Sequence, residues 1–333
     1  MTTPANRMIV PAYWAEASLR NRTKQKQVTV RRFGWSDVSQ QEAQAHADAR
    51  AQEALQRALS GEKKFLRREP KVAYNGAHGV PIREEIVSRH GDSIITRNSY
   101  GARCLNTPNV VFADIDYASR WSGKYFLITL AAAMLIVVMA YANTHSGKVL
   151  GFGTVAALLL SSVISSRVQE AVLRSQGGAE KLARSRLNAF LKKHPNWKLR
   201  LYQTPAGLRV LVCHATFEPS DAKVTEFFSA IGTDVIYQRM CMNQQCFRAR
   251  VSAKPWRIGI ESHMKPRPGT WPVAEDKLPM RAAWIDKYEE KARSHAACRY
   301  VETLGKGITH PDVQAVQELH DELCDATSQK PLA

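Results

Sequence analysis

The sequence predicts an α+β protein with core elements in the order β-α-β-β-α-β and a two-helix transmembrane hairpin inserted after the first strand. Three observations lead there. Two uncharged apolar runs, residues 125–142 and 149–166, follow one another across a short polar turn. A strand-like stretch ending in two aspartates, Asn109 to Tyr117, lies just before them. Beyond residue 178 the apolar spacing switches repeatedly between helical and strand periods.

Tyr125 to Ala142 carries no charge over eighteen residues, the lower length for a membrane-spanning helix. Val149 to Ser166 is as long, although Gly151, Gly153 and several serines dilute it. The turn from Asn143 to Lys148 is too short to hold a domain, so the two helices must run antiparallel. Ala131, Ala132 and Ala133 on one helix, and Gly151, Gly153, Ala156 and Ala157 on the other, would allow close backbone approach. Lys and Arg near a span stay on the cytoplasmic side. Arg120 and Lys124 precede the first run, and Arg167 and Arg174 follow the second. The turn holds only Lys148 and His145. Both termini are therefore expected in the cytoplasm, with two spans in an inner (plasma) membrane. The competing reading is a buried helical hairpin in a soluble protein, because the second run is short for a span.

The chain of 333 residues has a net charge of +17, unevenly placed. Residues 178–271 hold 16 Lys and Arg against 6 acidic residues, whereas residues 272–333 hold 8 against 11. A basic domain beside a bilayer is drawn to anionic lipid headgroups, by about 1 kcal/mol per cation near the surface. The same surplus suits the phosphates of a nucleotide or nucleic acid. The opening residues lack the pattern of a cleavable signal. Six scattered cysteines in segments expected to be cytoplasmic argue against disulfides.

In chain order, residues 1–70 form a basic N-terminal segment, irregular up to residue 35. It ends in one helix, opened by the capping box Ser39 to Glu42 and closed near Gly61. Residues 71–117 read as antiparallel strands: Val72–Tyr74 with an Asn75-Gly76 turn, Val80–Val87, Ser93–Arg97 and Asn109–Tyr117. Arg83, Glu84 and Glu85 suit an exposed strand face. Arg97 and Arg103 are candidate anion contacts by proximity to the acidic strand. The hairpin and its flanks occupy 121–168.

Residues 178–257 form the second part of the domain. A helix carries Ala183, Leu187 and Phe190, and strands Trp197–Gln203 and Leu208–His214 meet across a tight turn. A second helix carries Val224, Phe227, Phe228 and Ile231, and strands Val235–Arg239 and Cys246–Val251 follow. With the hairpin set aside, the order is that of a ferredoxin-like split βαβ unit. Residues 258–333 are a linker and helices, with helical pieces at about 280–303 and an amphipathic helix from His310. The acidic balance there suits docking onto the basic body.

Asp114 and Asp116 alternate on a strand and so point the same way. Such a pair can share Mg²⁺ or Mn²⁺ with substrate phosphates, and capping or turn formation explains it equally without metal. Cys241 and Cys246 with Cys213 and His214 could supply four zinc ligands, while buried thiols are the simpler account. Trp197, Tyr202, Phe247 and Trp256 suit a core, or base stacking on a sheet. No P-loop, GxGxxG, GxSxG or HExxH motif occurs.

The stretch Phe112-Ala-Asp114-Ile-Asp116 resembles the first motif of the archaeo-eukaryotic primase and primase-polymerase superfamily, which has an RRM-like core. Thr204 to Arg209 falls where the second motif would lie, with Arg209 at the place of the family's histidine. Asp234 is the candidate for the third acid. The resemblance implies a metal held by Asp114, Asp116 and Asp234, and phosphates met by Arg209, Arg248, Arg250 and Lys254. Two functions are thus expected: a membrane-anchored binding or scaffold module with a basic α+β domain, or a metal-dependent nucleotidyl- or phosphoryl-transfer enzyme. The missing histidine places the binding module first.

Overall fold

The computed structural model describes residues 9–22, 27–62, 66–69, 80–117 and 123–333. The expected strand Val72–Tyr74, its Asn75-Gly76 turn and Arg120 lie outside these. The architecture is α+β, with sheets and helices on both sides of two long apolar helices.

Residues expected to be irregular form a long hairpin, β1 (Tyr13–Arg22) and β2 (Gln27–Ser36). Alternating Trp14, Val28 and Val30 are buried there, a period-two signal obscured by the interleaved arginines. Helix α1 (Gln40–Leu59) begins at Ser39, whose side chain accepts from the Glu42 amide. Its alanine face, Ala43, Ala47 and Ala51, lies on β2. A Cβ on Gly34 would collide with the main chain of Ala43 and Ala47. Only a glycine lets helix and strand approach so closely.

The strands β3 (Glu85–His90), β4 (Ser93–Arg97), β5 (Arg103–Thr107) and β9 (Phe247–Arg250) form one antiparallel sheet in that order. A second sheet has the order β10 (Arg299–Gly305), β7 (Lys198–Thr204), β8 (Gly207–Val212), β6 (Phe112–Asp116). Chain from before and after the apolar helices is thus hydrogen-bonded together in both sheets. Residues 299–303, expected to be helical, belong to the edge strand β10.

The ferredoxin-like expectation is altered at its fourth strand. β8 lies between β6 and β7, antiparallel to both. β9, however, pairs with β5 in the other sheet instead of with β6. The segment expected as a strand at Val235–Arg239 is helix α6 (Val235–Gln244). Asp234 caps it, and Tyr237, Met240, Cys241 and Gln244 are buried at helical spacing. The Tyr237 hydroxyl stands where strand pairing would have continued. It lies 2.8 Å from the Phe112 carbonyl and 3.0 Å from that of Arg248.

The second sheet has strictly divided faces. Val111, Ala113 and Ile115, with Leu199, Leu201, Leu208, Val210 and Val212, pack with α4 (Gly178–Lys193) and α5 (Ala222–Ile231). Phe112, Tyr202 and Leu211 face the other way, toward the first sheet and α8 (Pro311–Leu323). Asp114 and Arg209 share that second face by strand alternation. Helix α7 (Leu278–Ala292) docks beside it through stacked Trp284 and Tyr288.

Between β6 and α4 come α2 (Gly123–Thr144) and α3 (Gly147–Ser175), both long and apolar enough to cross a membrane. Helix α3 runs nine residues past the expected end, through Arg167 and Arg174. The seam also differs from expectation. Ala131 and Ala132 are exposed, as are Gly151 and Ala156. Instead Gly153, Ala157, Ser161 and Ser165, spaced every fourth residue, meet α2 along one stripe, with Gly153 against Val137 and the Ser161 carbonyl accepting from Thr129. Leu127, Ile128, Ile136, Phe152, Leu159 and Val163 face outward.

His214 packs against Trp197 and Phe217. Burial, aided by the charge of Lys223, pushes its imidazole down to about 4. Unfolded, it would titrate near about 6.5. Its contribution to stability is therefore complete above that value and lost as pH falls from there toward 4. In detergent, the Tm of His214→Phe is expected to gain on wild type across that window. A difference that stays constant with pH contradicts this assignment.

Candidate anion-binding cleft

All seven residues singled out in the sequence line one cleft of about 430 Å³, together with Glu84, Tyr100 and Arg257. Its floor is the β6–β8 register, which sets Asp114 directly opposite Arg209. Arg209 Nε donates to Asp114 Oδ1 at 2.8 Å, and Nη2 to Oδ2 at 3.2 Å. Nη1 donates to the Arg250 carbonyl at 2.7 Å and lies 3.3 Å from His320 Nε2. Arg209 is only 1% exposed. Burial works to raise the Asp114 carboxyl, but the charge and hydrogen bonds of Arg209 prevail and hold it below the usual carboxylate range.

The wall is β9 and the chain after it. Arg248 is buried, and its Nη2 donates to Glu84 Oε2 at 2.6 Å. Glu84 also accepts from Thr96 Oγ1 at 2.7 Å. Arg248 Nη1 is buried and makes no hydrogen bond. Arg250 donates to the carbonyls of Ser252 and Ala333. Lys254 Nζ stands 5.3 Å from the ring centre of Trp256, which in turn meets Tyr100 edge-on. Arg257, absent from the sequence-based set, adds another cation with a buried, unbonded Nη1. Its position three residues past Lys254 was the available signal. Burial lowers the pKa of both Lys254 and Arg257, and the neighbouring charge of Arg250 lowers them further.

The acidic residues are distributed differently. Asp116 is exposed at the end of β6, where it also borders a cavity of about 520 Å³ beside Tyr125 and the lower end of α3. Asp234 accepts from the Ile236 amide at 2.7 Å as the cap of α6. Among the described residues, the three aspartates do not draw their oxygens within 4.8 Å of one another, whereas Cys298, His320 and Cys324 do so with their ligand atoms.

No family model, curated protein or solved structure matches this chain. The site is therefore read from its own geometry.

Several expectations change. Glu84, expected on an exposed face, is 2% exposed and neutralises Arg248, while Glu85 pairs with Arg281 at 2.6 Å. Arg97 and Arg103 meet Glu289 of α7 at 2.9 and 3.6 Å rather than an anion. They fasten the acidic C-terminal part, as does the Arg200–Asp321 pair at 2.8 Å. The zinc set weighed from sequence does not assemble: Cys213 and Cys241 belong to cores on opposite faces of the second sheet. Trp197, Tyr202 and Phe247 are core residues, and Trp256 is exposed, beside Tyr100 and Lys254 of the cleft.

Removing one partner of a buried ion pair leaves an uncompensated charge and costs about 3–5 kcal/mol. Glu84→Gln is expected to lose stability on that scale in chemical denaturation. The double exchange Glu84→Leu with Arg248→Met should recover part of it. Loss within experimental error of zero would mean that the pair is not closed in solution.

Proposed function

We propose that this chain is a membrane-anchored binding module whose basic cleft takes a phosphate-bearing small molecule, with a nucleotide as the favoured class. The observation that carries this reading is the convergence of Arg250, Lys254 and Arg257. No ion pair engages these three among the described residues, and they repel one another in a partly buried wall, an effect that the Asp114 and Asp116 charges offset only in part. A phosphate relieves that repulsion with charge-assisted hydrogen bonds. Arg248 Nη1 supplies a further buried donor. Trp256 and Tyr100 offer aromatic faces at the rim for a base.

The anchor is the α2–α3 pair. Its outward leucines, isoleucines and valines form an apolar belt far larger than soluble proteins leave exposed. A bilayer covers it, and the cations at its base, Lys124, Arg167 and Arg174, favour both flanks in the cytoplasm beside anionic headgroups. The metal-dependent transferase reading draws support from Asp114, Asp116 and Asp234 all lining the same cleft. Binding is favoured because Arg209 already takes both oxygens of Asp114.

Detergent-solubilised protein should quench Trp256 fluorescence on titration with ATP, and pyrophosphate should compete. Arg250→Ala and Lys254→Ala should each weaken binding about tenfold or more, the scale of a hydrogen bond to a charged group. Asp116→Asn should leave binding intact. No response at millimolar ATP sinks the nucleotide reading. A response to anionic vesicles alone assigns the cations to lipid headgroups, and loss of both metal-dependent turnover and binding in Asp116→Asn favours the enzyme.

A cysteine introduced at Ser146 should react with an impermeant maleimide from the non-cytoplasmic side of intact cells. The native cysteines, all buried, provide a silent background. Labelling only after permeabilisation would reverse or abolish the proposed topology.

A further inference from the structure

We infer that Cys298, His320 and Cys324 supply three of the four ligands of a buried zinc site directly behind the cleft, and this stands whether or not the cleft takes phosphate. Cys298 precedes β10, while His320 and Cys324 lie one turn apart at the end of α8. All three are at most 1% exposed. Cys324 Sγ lies 3.5 Å from His320 Nε2, and Cys298 Sγ lies 3.9 Å from it. Tetrahedral zinc with ordinary Zn–S and Zn–N bonds requires about 3.6 Å between a sulfur and a nitrogen ligand. The observed edges bracket that length, and the ligand atoms all lie within 4.8 Å of one another.

The histidine is prepared for a metal. Its Nδ1 lies 3.2 Å from Asp321 Oδ1, placed to donate to that carboxylate and so to leave Nε2 for a metal. Nε2 faces the two sulfurs and Arg209 Nη1, which approaches as a donor. A carboxylate behind the distal nitrogen is the usual support of a metal-bound histidine. Asp321 is itself held by Arg200 at 2.8 Å.

Charge also fits. On loading, the two thiols release two protons, and two thiolates with a neutral imidazole around Zn²⁺ carry no net charge. Arg209 therefore meets no net repulsion, and the metal displaces only its 3.3 Å contact to His320. The bonds to Asp114 use Nε and Nη2 and do not involve that contact, and Nη1 keeps the Arg250 carbonyl as its acceptor. The cluster is packed among apolar Phe112, Val313 and Ala326, and beyond the cluster itself the nearest polar group to Cys324 Sγ is the Arg250 carbonyl at 4.0 Å. Zinc would thus cross-link the sheet edge to α8 underneath the cleft. Full burial means that loading occurs during folding.

The full chain, purified in detergent from zinc-supplemented cells, should contain one zinc per chain by elemental analysis. Growth on cobalt should give the visible bands of tetrahedral cobalt(II) with thiolate charge transfer. Cys324→Ser should lose the metal and lower the Tm. Cys213→Ser, a buried cysteine outside the cluster, should keep it. To guard against misfolding, Cys324→His should retain metal and shift the cobalt spectrum. Wild-type protein with less than a tenth of an equivalent of metal, or with Cys298 and Cys324 joined as a disulfide, would falsify the site. Equal metal in wild type and Cys324→Ser would place the zinc elsewhere and equally overturn it.

Discussion

The structure depends on one buried cation. Arg209 sits in the middle of a central strand, where an unpaired charge would cost several kcal/mol or more. It is tolerated because the Asp114 carboxylate takes Nε and Nη2 and the Arg250 carbonyl takes Nη1, with the His320 ring packed beside it. Each of these groups comes from a different element, β6, β9 and α8. The arginine therefore locks the edge strand, the cleft wall and the last helix in one arrangement. It also separates two chemically different places, a cleft lined by Arg250, Lys254 and Arg257 on one side and a sulfur–nitrogen cluster on the other.

The cleft and the apolar helices share a strand. β6 meets Arg209 at Asp114 and borders two cavities at Asp116, one of them lined by Tyr125 of α2 as well. In sequence, Asp116 at the cleft and Gly123 at the start of α2 are only a few residues apart. The fourth strand expected of a closed core is diverted to the first sheet, and Tyr237 fills the gap with a hydroxyl shared by both strand edges. That gap is what opens the cleft. Had β9 paired along β6, Arg248 and Arg250 would have been spent on an ordinary sheet face.

Much of this was legible in local patterns. Eighteen uncharged residues make an apolar helix wherever they fall, and the alternation in β6 already put Asp114 and Asp116 on one side. Seven residues chosen for charge and position converge on one cleft because β6 and β8 are neighbours in one sheet and β9, the edge of the other, is tied to β6 through the Tyr237 hydroxyl. Other features misled for physical reasons. Arginines interleaved with valines hid the β1–β2 hairpin. Val235 to Arg239 has β-branched residues, but the cap at Asp234 and burial at helical spacing outweigh that propensity. Glu84 looked solvated because nothing local shows that Arg248 comes to it from 164 residues away.

The sequence by itself determined the α+β class, the apolar hairpin and the basic character of the domain, since these depend on composition and short-range periodicity. The tertiary structure decided which charges are already neutralised and which remain for a ligand. It also decided that His320 and Cys324, one helical turn apart, meet Cys298. Pairing of charges and convergence of ligands are properties of distance in space. A chain that passes through two sheets and a hairpin before closing on itself carries that information only when folded.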